Sequence, residues 1–530
     1  MTGFGVALAK DVMVPTRDGI RLATDVYRPA RDGELVEGRY PTILCRTPYD
    51  KTDKRYSEIA DFFVPHGYSV CLQDCRDRYR SEGTREYFHA ATPHEGEDGY
   101  DTVEWIAEQR WSNGRVGTVG SSFAGITQVR MALERPPHLT AIWPDVVPTN
   151  SFQHQSREGG AMQLHMFWAL FIHAQDAQDI AGDLEKQAEV WADLTRLREL
   201  FWETPYREGQ TSLRHVPALE KCLLDYYTRG TYDELWSRKE YDYTRYWDEH
   251  ADIPGTYSTG WYDGFPHSDS EYFAAMAAKN TAPQRLVVGP WSHVGMRGDA
   301  TYTLDVDFGE DAVWGVQRYF AEQLAFFDRW LREHGGGAPA GEAPVRIFVM
   351  GGGSGRKTAL GKLDHGGRWR EEHEWPLARV RETLYYMHGD GSLSLEPPEG
   401  EDEPRRYTYD PARPVPTIGG NYCAIGELPA EGTGMEPAWS RFLSPVLRLR
   451  NILTPGPADQ KEAPELFAAR EPYPRLSERA DVLVYETEPL EEPVEVTGRA
   501  RVNLWVSSSA VDTDFTAKLV DVHPANEDYP

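Results

Sequence analysis

Between Tyr40 and Pro136 short apolar runs alternate with helical patterns, and this alternation constrains the fold of the chain more than any other feature. "YPTILCRTPYD" reads as a buried strand entering a loop, "YSEIADFFVPHG" as a helix and "YSVCLQD" as a strand. "GYDTVEWIAEQRW" is then helical, with Val103, Ile106 and Trp111 on one face; "GRVGTVG" is a strand and "FAGITQVRMALERP" a helix. Strands separated by helices must pair in parallel, and a parallel sheet is covered on both faces. Ahead of them, "DVMVPTRDGIRLATDVYRPA" reads as a hairpin turning at "RDG". From about Asn150 to residue 249 the alternation gives way to aromatic-rich helical stretches. It resumes with "GTYSTGWYD", "EYFAAMAAKN", "RLVVGPWSH" and "VRIFVM". Residues 150–249 are therefore expected as a helical insertion into one α/β domain, itself made of 1–149 and 250–352. Beyond Gly351 helical patterns nearly vanish. The segments "ETLYYMH", "DVLVYET" and "VEVTGRARVNLWVSSS" between Pro/Gly/Glu-rich turns imply a β jelly roll over 353–530.

Composition narrows the function. At 530 residues the chain exceeds one ordinary domain, and its formal net charge of −28 argues against a nucleic-acid groove or an anionic membrane surface. The five cysteines are few and odd in number. Cys71 and Cys75 lie four apart in a strand-like run, too extended for a disulfide, so all five are expected reduced. The N-terminus lacks a basic start and a long apolar core, and no run of 18 apolar residues occurs. A soluble, cytoplasmic protein is the expectation.

Chemistry concentrates in "RVGTVGSSFAGITQVRMALERP", Arg115 to Pro136. An α/β hydrolase carries its nucleophile on a strained strand-to-helix turn, which demands small residues two before and two after it. Ser122 has Gly120 and Ala124 there, followed by Gly125, whereas Ser121 would have Val119 and Phe123. Ser122 is the candidate. A serine hydroxyl needs a base, and an imidazole base needs a carboxylate to hold its tautomer. The fold's chain order is Ser, Asp or Glu, then His, each after a strand. Asp263 ends "STGWYD" and His293 ends "RLVVGPWSH", with one helix between them. Asp145 in "AIWPDVVP" follows a strand but precedes the insertion and ranks behind Asp263. His267 lies too near Asp263 along the chain to serve as the base.

"TPYDK", "GSSFAG", "GWYDGF", "GPWSH" and "SSSAVDTDFTAKLVDV" together resemble the cocaine-esterase family, within the X-Pro dipeptidyl-peptidase (S15-like) group of serine hydrolases. The resemblance spans nearly the whole chain. It implies an α/β-hydrolase domain with a helical cap and a C-terminal jelly roll. It also implies Ser122, Asp263 and His293 as the triad, and Tyr49 as an oxyanion donor beside the backbone N–H of Phe123. Trp168 and Phe265 would wall the acyl pocket. Two departures stand out. Asp77 replaces a glycine of the family's loop in "QDCRDRYRSEG"; Asp tolerates a left-handed backbone better than most residues, so the turn should survive. The chain also ends at Pro530, where relatives continue: either the final strands are missing, which would leave an open sheet edge, lower the stability and favour self-association as a homodimer, or the sequence is a fragment.

The expected reaction is hydrolysis of small-molecule esters through an acyl-enzyme. Gly264, Phe265 and Pro266 after Asp263 are apolar, so uncharged or aromatic acyl groups are expected. The alternative, X-Pro dipeptidyl-peptidase action, needs a carboxylate for a free amino terminus; Glu158, Asp176 and Asp179 of the insertion are the candidates. A third reading is a decayed hydrolase that only binds ligand. His154, His165 and His173 lack any H-E-x-x-H or paired-Cys context, and neither a G-x-G-x-x-G nor a P-loop occurs, so no metal and no cofactor is expected.

Overall fold

The computed structural model of the chain describes residues 3–86, 92–163, 170–171, 173–174, 176–293, 295–332, 342–400, 403–421 and 455–529. Ten strands form the path of the central sheet. They are β1 (Gly5–Pro15), β2 (Arg21–Arg31), β3 (Tyr40–Thr47), β4 (Ser69–Asp74), β5 (Ser112–Ser121), β6 (Leu139–Asp145), β7 (Gly255–Tyr262), β8 (Gln284–Ser292), β9 (Val345–Met350) and β10 (Gly367–Glu372). Their order is β1-β2-β4-β3-β5-β6-β7-β8-β9-β10, and the two-residue strand Glu34–Leu35 adds to β2. From β4 across to β9 every pairing is parallel, as the alternation requires; β1, β2 and β10 run antiparallel at the two ends.

Helices α1 (Lys54–Phe63), α2 (Glu95–Glu108), α3 (Phe123–Glu134), α6 (Pro266–Lys279) and α7 (Gly315–Leu331) cover the sheet; α4 (Leu184–Thr195) and α5 (Pro217–Thr228) belong to the insertion. α1 starts where Asp53 accepts the Arg55 N–H as its cap. α2 buries Val103 and Ile106 as expected, but it stops at Glu108 because Gln109 turns extended, with ψ 139°. Trp111 therefore lies past the helix and meets Trp105 edge-on, their rings 6.5 Å apart. The strands are apolar on both faces: Ile43, Leu44, Val70, Cys71, Leu72, Val116, Ile142, Trp143, Val287 and Val288 are all buried. Cys45, Cys71, Cys75 and Cys222 are free and buried, and burial pushes the Cys45 and Cys222 thiols up to about 12, so neither is a nucleophile at neutral pH. Cys423 lies outside the described residues.

The central sheet extends past the boundary expected at residue 352. β10 pairs antiparallel with β9, Val345 opposite Glu372 and Met350 opposite Gly367, so the unpaired edge of β9 is covered. Among the described residues beyond Glu372, paired strands are confined to Tyr386–Met387 with Leu393–Ser394, with isolated bridges at Ser392–Glu486, Gly420–Gly456 and Lys461–Arg475. "VEVTGRARVNLWVSSS" carries no strand there: alternation suits a half-buried ribbon, but a ladder also needs a partner at hydrogen-bonding distance. Among the described residues, no helix is long and apolar enough to cross a membrane.

One close approach sets the geometry at the sheet's carboxyl edge. Gly260 on β7 faces Gly289 on β8, but two positions on Tyr262 faces Ser292, so β8 carries one extra residue. A Cβ at Gly260 would stand 2.0 Å from the Trp291 carbonyl oxygen, which no side-chain motion can relieve. Gly260→Ala is expected to cost about 3 kcal/mol of stability and about 100-fold in kcat, because it forces apart the two strands that carry Asp263 and His293. Denaturant midpoints beside initial rates check both effects; a variant with the parent's midpoint and rate would contradict the close approach.

Candidate active site

Five adjacent strands, β3, β5, β6, β7 and β8, end at the same edge of the sheet, and residues at or within two positions of each end define the site. Ser122 follows β5 and caps α3. Its backbone is held at φ 60°, ψ −122°, a strained conformation for a residue with a side chain. The turn is fastened on both sides: the Ser122 N–H donates to the Asp145 carbonyl at 2.9 Å, and the Ser122 carbonyl accepts from Gly125 and Ile126, each at 2.9 Å. The small flanking residues are a steric necessity. A Cβ on Gly120, which sits at φ 142°, would come within 2.6 Å of the Ala124 Cβ, and one on Gly125 within 2.4 Å of Val147. Ser121 is the last residue of β5, paired with Asp145. Of the two serines, Ser122 occupies the strained turn.

Asp263 directly follows β7 and is wholly buried. Its Oδ2 lies 2.6 Å from His293 Nδ1, and its Oδ1 accepts the Phe265 N–H at 2.9 Å. His293 directly follows β8, and the buried Phe265 ring meets its imidazole edge-on at 5.6 Å. A second carboxyl, Asp269 on α6, is also wholly buried and accepts from the Val147 N–H. Burial, reinforced by the charges of Asp263 and Asp145, pushes it well above the ordinary carboxyl range.

Asp145 takes a different part from the acid considered in its sequence. Its carboxylate accepts from Trp143 Nε1 at 3.0 Å and from the hydroxyls of Ser258 and Tyr319, beneath the Ser122 turn, while Asp263 holds His293. Burial raises it to about 6. His267 pairs with Glu271, not with Asp263, at 3.1 Å.

Tyr49 lies two residues past β3, and its ring meets the Phe123 ring edge-on at 6.5 Å. Phe123 opens α3, so its backbone N–H stands at a helix N-terminus, where oriented amides favour negative charge. Two groups to which the sequence assigned no part here hold this corner. His173, from the insertion, is buried, with its ring tilted against Tyr49 at 5.2 Å and Phe123 at 6.1 Å. Arg78, also buried, donates from Nε to the Pro48 carbonyl at 3.1 Å and from Nη1 to the His173 carbonyl at 2.7 Å, and it pairs with Asp176. It ties the loop of Tyr49 to the insertion. The only signal in sequence was its place in "QDCRDRYRSEG", one residue past Asp77. Asp77 itself adopts φ 64°, the left-handed turn expected of it, and its carboxylate accepts the Arg85 and Glu86 N–H groups at 2.7 and 3.1 Å. Trp168 and His165 lie outside the described residues.

Comparison with known proteins agrees with this architecture. Residues 18–295 match the model of the X-Pro dipeptidyl-peptidase (S15) family, and residues 337–530 match that of the X-Pro dipeptidyl-peptidase C-terminal non-catalytic domain. Cocaine esterase of Rhodococcus sp. (strain MB1 Bresler) is 34% identical over 537 residues, covering 98% of this chain and 81% of the esterase. Among solved structures, an aminopeptidase from a marine sediment Thaumarchaeota archaeon has a TM-score of 0.56 at 21% identity, covering 78% of this chain and 66% of its own. An α-amino acid ester hydrolase has a TM-score of 0.55 at 22% identity over the same shares. A CocE/NonD family hydrolase from Staphylococcus aureus has a TM-score of 0.52 at 18% identity, covering 74% of this chain and 60% of its own. These three share the fold. An α/β-hydrolase sheet with a strained serine turn, the two family matches and 34% identity to cocaine esterase over 98% of the chain place it in the X-Pro dipeptidyl-peptidase (S15) family of serine hydrolases.

Proposed function

We propose that this protein is a serine carboxylesterase that cleaves esters of uncharged acyl groups, with Ser122, His293 and Asp263 as its triad. Ser122 Oγ attacks the ester carbonyl while His293 Nε2 takes its proton; Asp263 holds the imidazole through Nδ1 and balances its charge. The Tyr49 hydroxyl and the Phe123 N–H receive the oxyanion. The alcohol leaves with the proton from His293, and water, activated by the same imidazole, releases the acid.

The observation that carries the ester reading over the peptidase one is the state of Asp176. A peptidase that binds a free amino terminus needs a carboxylate open to its ammonium group. Asp176 is bound by the Arg78 guanidinium and the Tyr79 N–H, and Glu158 is exposed and accepts from Gln163 Nε2. The apolar Phe265 beside His293 supports an uncharged acyl group, as does the similarity to cocaine esterase. The buried free cysteines support a cytoplasmic location, and the apolar side chains exposed between Val502 and Val522 support a homodimer, which sedimentation velocity reads directly. We divide the chain into a catalytic domain of 1–149 and 250–372, a cap of 150–249 and a C-terminal domain beyond; β10 in the central sheet supports the later boundary and the helices α4 and α5 support the cap.

Initial rates on nitrophenyl acetate, butyrate and benzoate, beside an Ala-Pro nitroanilide, test the reading. Ester turnover at least about 100-fold above the anilide in kcat/KM is expected. Faster cleavage of the anilide would overturn it and direct attention to Asp179.

A further inference from the structure

His154, at the end of the short helix Ser151–His154, meets His267 and Glu271 on the first turns of α6. His154 Nε2 lies 3.3 Å from one Glu271 oxygen and His267 Nε2 lies 3.1 Å from the other. The imidazole centroids are 4.3 Å apart, and one ligand atom of each residue lies within 4.8 Å of the other two. Two ligands 2.0–2.1 Å from a tetrahedral zinc stand about 3.4 Å apart, so the two separations between imidazole and Glu271 are those of a coordination edge. The donor set, two imidazoles and a carboxylate, suits Zn²⁺ and its neighbours better than Ca²⁺ or Mg²⁺, which want oxygen. The His154 side chain is 7% exposed, so that ring is fixed in place, while His267 and Glu271 open the site to solvent.

We propose that His154, His267 and Glu271 form a divalent transition-metal site that takes Zn²⁺. The metal replaces the protons that the two Nε2 atoms present to the carboxylate. One cation already competes for that carboxylate: Arg499 of the C-terminal domain pairs with Glu271. Metal binding therefore exchanges a contact with the C-terminal domain for a staple between the segment after β6 and the first turns of α6. That turn follows directly from Phe265, the residue seated on His293, so the staple would brace this wall of the site. The inference is independent of the ester chemistry, since none of the three residues takes part in it.

Zinc chloride alone, titrated into chelator-treated full-length protein, tests the site by calorimetry and by thermal unfolding. One zinc per chain and a Tm that rises with zinc concentration are expected, because a ligand that prefers the folded state stabilises it. His154→Ala/His267→Ala should lose both effects. Glu271→Gln, which preserves side-chain size, should weaken binding more than about ten-fold. His365→Ala, in a second cluster with Asp521 and His523, should leave them unchanged. Arg499→Ala should tighten binding about five-fold by removing the competing ion pair. No Tm shift at about 100 μM zinc, or unchanged binding in both Glu271→Gln and the double histidine variant, overturns the proposal.

Discussion

Ser122→Ala is expected to lower kcat on a nitrophenyl ester by about 10⁴- to 10⁶-fold and to leave the fold intact. Only the Oγ is lost: the backbone keeps its φ of 60°, and its bonds to Asp145, Gly125 and Ile126 are main-chain bonds that alanine retains. The Tm should move by no more than a few degrees, about 1 kcal/mol in stability. Ser121→Ala is the matched control. Ser121 ends a strand with its side chain exposed, so its loss should change kcat by less than about two-fold. A slow-deacylating ester adds a qualitative readout, since intact-mass measurement should find the acyl adduct on the parent protein and on Ser121→Ala but not on Ser122→Ala. Full turnover in Ser122→Ala would remove the nucleophile from the mechanism.

The second large effect concerns a proton's position. Asp263 accepts two N–H groups, Phe265 N at Oδ1 and His293 Nδ1 at Oδ2. In Asp263→Asn the single amide oxygen is best placed against the Phe265 N–H, a backbone donor that cannot turn into an acceptor. The amide NH₂ then faces His293 and donates to Nδ1, which drives the imidazole proton to Nε2. In that tautomer the nitrogen that should take the Ser122 proton already carries one. We expect kcat to fall by about 10⁴-fold with KM changed by less than about three-fold, since nothing that touches the ground-state ester has moved. The alternative acid separates cleanly: Asp145→Asn should alter stability, through the bonds of Ser258, Tyr319 and Trp143, more than it alters the pH profile of kcat. A 10⁴-fold loss in Asp145→Asn, with Asp263→Asn active, would reverse the two assignments.

The zinc proposal and the esterase proposal meet at α6 but fail independently. Metal binding is read in stoichiometry and Tm, whereas the triad is read in rates of variants at Ser122 and Asp263. Loss of one leaves the other standing.

Much of the candidate site was legible in the chain because its information is local. The choice of Ser122 over Ser121 follows from Gly120 and Ala124, and the 2.6 Å approach between those positions shows why side-chain size two residues away is diagnostic. The placement of Asp263 and His293 needed only the strand ends and chain order, since parallel strands joined by helices bring successive carboxyl ends to one edge. The left-handed turn at Asp77 was readable for the same reason: it depends on what one residue's backbone tolerates. Contacts between distant segments were not. Arg78 reaches Pro48 and His173 through space, and no spacing along the chain announces a buried guanidinium that bridges a loop to an insertion. Asp145 ranks behind Asp263 along the chain, but what it does instead is not legible there: its partners, Ser258 and Tyr319, come from two other elements. His154 and His267 lie more than a hundred residues apart and fit no metal motif; they become neighbours because the segment after β6 and the start of α6 leave adjacent strands of one sheet. Periodicity and turn chemistry are properties of a few consecutive residues and survive in a one-dimensional reading. Charge pairing and ligand geometry depend on distances that only the closed sheet establishes.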